Sequence, residues 1–118
     1  MNTVNKKYDL EERTLEFAKA IRIFLKDVPR TISNIEDCKQ LARSSGSIAA
    51  NYIEANESLS KKDFLMRIKI CRKEAKESTL WLKVISVDTH PLMQKQQELL
   101  QEATELMKIM SSIMRKTE

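Results

Sequence analysis

An all-α fold, an antiparallel up-and-down four-helix bundle, is what this sequence predicts, and three observations predict it. One glycine and two prolines in 118 residues leave few sharp turns, so the elements are few and long. Abundant Leu, Ile, Ala, Glu and Lys, with six methionines, lean helical. Apolar residues recur at alternating spacings of four and three along four stretches joined by short connections. The chain holds one core's worth of residues and shows no repeat or linker, so residues 1–118 are read as a single domain.

The elements follow in order. Asp9 with Glu12 resembles a capping box, and Thr14, Ala18, Ile21, Leu25 and Val28 then carry the first stripe, widened by Phe17 and Phe24, until Pro29 ends the helix. Ser33 with Glu36 offers the second start, and Ser60 with Asp63 the third. The third helix has the cleanest seam: Phe64, Ile68, Cys71, Ala75, Ser78, Leu82 and Ile85. Pro91 suits the first turn of the fourth helix, which leaves His90 in the preceding loop. Leu92, Gln96, Leu99, Ala103, Leu106, Met110 and Ile113 form its seam.

The second helix has to pass through "ARSSGSIAANYIEAN", Ala42 to Asn56, which contains the lone glycine. A loop there would break the apolar phase. Instead Cys38, Ser45 and Tyr52 stay seven apart, as do Leu41, Ile48 and Ala55. A glycine inside a helix costs about 1 kcal/mol relative to alanine, so it needs a packing reason. Gly46, Ser47, Ala49, Ala50 and Asn51 are read as a buried waist where neighbours approach on several sides. No GKS/T or GxGxxG pattern makes it a phosphate loop.

Composition narrows the function. The N-terminal "MNTVNKKYDL" lacks the apolar run of a signal peptide, and no stretch approaches the ~20 apolar residues of a membrane span. Cys38 and Cys71 lie far apart on core positions with no CxxC pattern, which suggests a reduced, cytoplasmic protein without membrane contact. Catalysis finds little support. A di-iron bundle needs Glu-x-x-His on two helices, and Val87 stands at that offset from His90, the only histidine. A zinc site would need Cys38, Cys71 and His90 to converge with a fourth ligand. Glu54 and Glu74 could pair as carboxylates, but a structural polar set of Arg43, Ser47, Asn51, Glu54 and Glu74 is the plainer reading. No enzyme, metal or cofactor is expected.

The net charge of +4 sits in one place. Between Lys61 and Asp88 there are eight Lys/Arg and four Asp/Glu, while the remaining residues cancel. Lys62, Lys69, Lys76 and Lys83 recur every seven residues, about 10.5 Å apart along a helix axis, and Arg72 joins their face. Solvated faces usually interleave acids at i,i+3 and i,i+4, yet none of these five cations has one there. A solvated face, a surface for nucleic-acid phosphates and a surface for an acidic protein partner all remain open. On the side of the third helix away from its core seam, about 200° round, Met66, Ile70, Leu80, Val84 and Val87 form a second apolar stripe with Trp81 at its flank, which suggests a subunit interface.

Three blocks, "YDLEERTLEFA", "ARSSGSIAANYIEA" and "DFLMRIKICRKEAKESTLWL", together resemble the four-helix bundle proteins encoded by intervening sequences in bacterial 23S ribosomal RNA genes, also called S23 ribosomal proteins. The matching positions are Tyr8, Asp9, Leu10, Arg13 and Phe17; Arg43, Ser44, Ser47, Asn51, Glu54 and Ala55; and Phe64, Lys69, Glu74, Glu77, Trp81 and Leu82. Gly46 and Ala49 stand where other small residues are expected, which touches packing and not chemistry. The resemblance implies a homo-oligomeric bundle. A related protein, the accessory variability determinant of diversity-generating retroelements, implies a pentameric ring able to bind nucleic acid. The functional expectation is therefore a non-enzymatic oligomer that contacts RNA or DNA backbone through the basic face of the third helix; a protein-binding adaptor with an acidic partner is the alternative.

Overall fold

The computed structural model describes the backbone of residues 6–118 and the side chains of residues 10–118. Four helices follow one another: α1 Lys6–Leu25, α2 Ile32–Asn56, α3 Lys61–Val84 and α4 His90–Thr117. Each packs on the next, and α4 closes back on α1. Cross-helix contacts run antiparallel: Asn34 of α2 meets Ser86 at the end of α3, Arg43 meets Glu74, and Asn51 meets Arg67. The up-and-down bundle is thus what the sequence predicted. Its shortest dimension is 19 Å, about two helix diameters, so every helix keeps one face toward solvent.

Helix ends are set by local chemistry that differs from the sequence reading in four places. Helix α1 begins at Lys6, so Asp9 lies inside it, and the Asp9 side chain falls outside the described residues. It ends at Leu25 rather than at Pro29. Three tighter bonds, from the N–H groups of Lys26, Asp27 and Val28 to carbonyls three residues back, carry the chain to the proline. The cause is that a residue preceding proline is pushed out of the α region. Thr31, not Ser33, caps α2, its hydroxyl accepting from the Asn34 N–H at 3.1 Å. Thr89 caps α4 by accepting from the Leu92 N–H, which makes His90 the first helical residue and not part of the loop. Ser60 caps α3 through the Asp63 N–H as expected.

The heptad seams account for the interior. Ile68, Cys71, Ala75, Ser78, Leu82 and Ile85 from the α3 seam are buried, with Phe64 half-buried at its end. Leu99, Ala103, Leu106 and Met110 of α4 meet them, beside Leu41, Ile48, Tyr52 and Ala55 of α2 and Phe17, Ile21 and Phe24 of α1. Helix α2 runs unbroken through its glycine. Its waist, however, is crowded on only part of its circumference. Ser44 and Ser45 are fully buried, Gly46, Ser47 and Ala49 are half-buried, and Ala50 is exposed. Ala50 points between neither adjoining helix, so the buried-waist expectation fails for that residue.

No residue among those described takes a positive φ, so Gly46 is not there for a turn. It is there for Arg22. A Cβ on Gly46 would sit 3.1 Å from Arg22 Nη2. That guanidinium reaches across from α1 and donates to the Ala18 and Ala42 carbonyls and to Ser45 Oγ. Two polar side chains then lock the loop ends. Buried Asn34 donates to the Pro29 and Ser86 carbonyls and accepts from the Ser86 N–H, joining the α1–α2 and α3–α4 connections. Gln96 donates to the last carbonyls of α3, at Leu82 and Ile85.

Candidate nucleic-acid interface

Helix α3 owes its position to an unusually small seam. Ser44 Oγ of α2 and Ser78 Oγ of α3 lie 2.8 Å apart, and the Cys71 thiol reaches the Ile48 carbonyl of α2 at 3.5 Å. Ala75 lies between them on the same buried row. A thiol can reach another helix's backbone only when the two helices run close together. Burial pushes the Cys71 thiol up to about 12, so it is inert, and burial also raises Cys38, half-buried beside Asp37.

That close contact sorts the charges of α3. On the flank toward α2, the Arg43 guanidinium bonds Glu74 at 3.1 Å and Glu77 at 2.8 Å, and these carboxylates hold its pKa above the ordinary arginine value. Arg67 donates to Asn51 Oδ1, and the Asn51 amide donates to the carbonyl and hydroxyl of Ser47. The expected polar set therefore falls into two separate clusters across the α2–α3 contact, Arg43 with Glu74 and Asn51 with Ser47. Glu54 is in neither. It is exposed near the α2–α3 turn, beside Glu57 and Asp63. Glu54 and Glu74 cannot form a carboxylate pair, because Glu74 is paired with Arg43, eleven residues and about 16 Å back along α2 from Glu54. Among the described residues no group of three or more His, Cys, Asp or Glu side chains is placed to hold a metal ion.

On the other flank, Lys62, Lys69, Arg72, Lys76 and Lys83 are all exposed, and none makes an ion pair among the described residues. The two nearby acids of α3, Glu74 and Glu77, are turned away to Arg43. Lys73 joins this face although the sequence reading passed over it. Glu77, four residues on, is engaged by Arg43 and leaves Lys73 without an ion pair among the described residues. Arg72, Lys73, Lys76 and Lys83 line an open groove between α3 and α4, with Leu80, Met107 and the Arg43-bound Glu77 also in its lining.

The apolar residues expected to form a separate interface divide into two groups. Met66, Leu80 and Val84 are each about half exposed. Leu80 stands four residues after Lys76 and three before Lys83 and so shares their groove. Ile70, Trp81 and Val87 are half-buried, and Trp81 and Val87 pack against the core. The Trp81 indole Nε1 is buried and meets no acceptor among the described residues.

The Arg43 network predicts a definite stability pattern. Arg43→Ala strips the cation from Glu74, which is only 6% exposed, and is expected to cost about 1–3 kcal/mol in urea denaturation. Glu74→Gln keeps a hydrogen-bonding group at the same place and is expected to cost less. Wild-type stability for Arg43→Ala would contradict the network.

Comparison with known proteins agrees with this architecture. Residues 6–112 match the family model described as 23S rRNA-intervening sequence protein. Among solved structures, the chain is similar to a protein of unknown function from the S23 ribosomal protein family of Bacteroides thetaiotaomicron, at 29% identity. That match covers 88% of this chain and 96% of the other, with a TM-score of 0.76. No curated relative matches the chain. Among the described residues no helix is long and apolar enough to cross a membrane.

Proposed function

This chain belongs to the 23S rRNA-intervening sequence protein family, and we propose that it is a non-enzymatic, oligomeric cytoplasmic protein that contacts the phosphate backbone of RNA or DNA through Lys62, Lys69, Arg72, Lys76 and Lys83. The observation that carries this reading is the sorting of charge on α3: Glu74 and Glu77, two of its three acids, are bonded to α2, while its ladder cations face solvent without an ion pair among the described residues. Five exposed cations without counter-charges repel one another, and a polyanion relieves that repulsion by releasing its condensed counterions. The chain has six aromatic residues, and none lines the groove, so affinity rests on charge and not on base stacking.

One observation supports self-association. Met66 and Val84 leave a half-exposed apolar edge on α3, with Ile70 beside it. A second copy docked on this edge would cover the apolar surface. An acidic protein is the second reading for the groove, favoured by Leu80 lying among the cations, where an acidic helix with an apolar face would fit.

The two proposals are separately testable. Changing Lys69, Arg72 and Lys76 to Gln is expected to weaken binding to RNA and duplex DNA and to reduce the log–log salt slope, by about 0.9 for each duplex phosphate no longer neutralised. Circular dichroism should show the bundle intact. Equal, weak binding by wild type and variant at low salt would hand the groove to the acidic-partner reading. For assembly, Met66→Glu with Val84→Glu should shift sedimentation to a smaller particle while helicity is kept. A wild-type monomer at micromolar concentration would refute it.

A further inference from the structure

The outer row of α3 is complementary to itself when reversed. Met66, Ile70, Lys73, Glu77, Leu80 and Val84 stand at intervals of four, three, four, three and four residues, the spacing of a heptad seam. At about 100° per residue, they all lie within about 40° of the direction opposite buried Ala75. The row reads apolar, apolar, cation, acid, apolar, apolar, with Ala75 at its midpoint. Met66, Leu80 and Val84 are about half exposed, and Ile70 and Glu77 are half-buried. Lys73 is exposed without an ion pair among the described residues. Resting on the self-association reading, we propose that two copies pair through this row with their α3 helices antiparallel, about a two-fold axis at the level of residue 75.

Direction and register follow from the charges. About that axis Met66 meets Val84 of the second copy, Ile70 meets Leu80 and Lys73 meets Glu77, and each contact occurs twice. Parallel pairing would set Lys73 on Lys73 and Glu77 on Glu77, where like charges repel. A slip of one heptad would set Met66 on Glu77 and Ile70 on Lys73. The antiparallel register centred on residue 75 matches every position. Arg43 takes Oε1 of Glu77 at 2.8 Å, and Oε2 has no side-chain donor among the described residues. That second oxygen is the acceptor for the Lys73 ammonium of the other copy. A charged pair inside an apolar seam costs stability and fixes its register. Symmetry also places the ladders. An axis perpendicular to the paired helices keeps the α4-side flank of each on the same face of the dimer. Lys69, Arg72 and Lys76 of both copies then share one cationic surface, which strengthens the field met by a polyanion.

The test is sedimentation of the full chain, wild type and with Lys73→Glu or Glu77→Lys, each alone and then mixed. Wild type is expected to sediment as a dimer. Each single variant opposes like charges at the centre of the seam and should weaken the dimer on the order of tenfold or more. An equimolar mixture of the two should restore it, because the altered rows complement each other. If Glu77→Lys loses helicity along with its Arg43 contact, Met66→Cys with Val84→Cys gives a second reading. Oxidation should link two copies of that double variant. Neither single cysteine variant should link, since two copies of either position stand about 27 Å apart along the helices. Folded variants that assemble like wild type, no recovery on mixing, or a wild-type particle larger than two copies would overturn this pairing and leave assembly through α3 standing. A wild-type monomer would overturn both.

Discussion

Close packing of α2 on α3 is the constraint from which the rest of this molecule follows. Ser44, Cys71, Ala75 and Ser78 are small enough to bring the two helices within thiol-to-carbonyl reach, and each polar group among them has a partner. Buried hydroxyls are tolerable here because they bond to each other and to carbonyls of their own helices. Once α3 lies this close to α2, its neighbouring flank is within range of Arg43, and Glu74 and Glu77 are drawn to that guanidinium. Lys73, four residues before Glu77, loses its one partner at pairing distance to Arg43.

The same logic recurs on the looser side of the bundle. Helix α1 touches α4 less extensively, and there the tie is polar: Arg13 makes two bonds to Glu102 and one to Glu105. The Gln101 amide and Arg13 together hold the Glu105 carboxyl below its usual range. Arg13 and Arg43 thus do matching work, each gathering two carboxylates from a neighbouring helix. Arg13 draws two acids of α4 to the α1 side, while Arg43 neutralises Glu77 at the edge of the groove between α3 and α4. The basic character of that surface comes from where the acids go, as much as from where the cations are.

How much of this could be read from the residues depended on the range of the interaction. The seams of α3 and α4 were legible because a 3.6-residue period is a property of each helix alone, and burial followed it from Ile68 to Ile85 and from Leu99 to Met110. The continuity of α2 through Gly46 was legible for the same reason. The role of Gly46 was not, since it is set by an arginine 24 positions earlier that lies across it only in the folded chain. Caps were half legible: Ser60 obeyed the local rule, but Thr31 displaced Ser33 because Pro29 fixed where the chain could turn. Lys73 was missed because it stands off the seven-residue register of the lysine ladder, though it lines the same groove. That Leu80 lies among the cations was not legible, because stripes drawn along one helix ignore the groove made by two.

The central claim is that charge sorting by α2 and α1 leaves the α3–α4 face as the surface for a polyanion. Amide chemical-shift mapping of the isotopically labelled chain during addition of a short oligonucleotide tests it most directly. The account predicts that the perturbed amides concentrate between Lys69 and Lys83 on α3 and between Met107 and Arg115 on α4. Perturbations centred instead on the outer faces of α1 and α2, around Lys19 and Lys39, would contradict it.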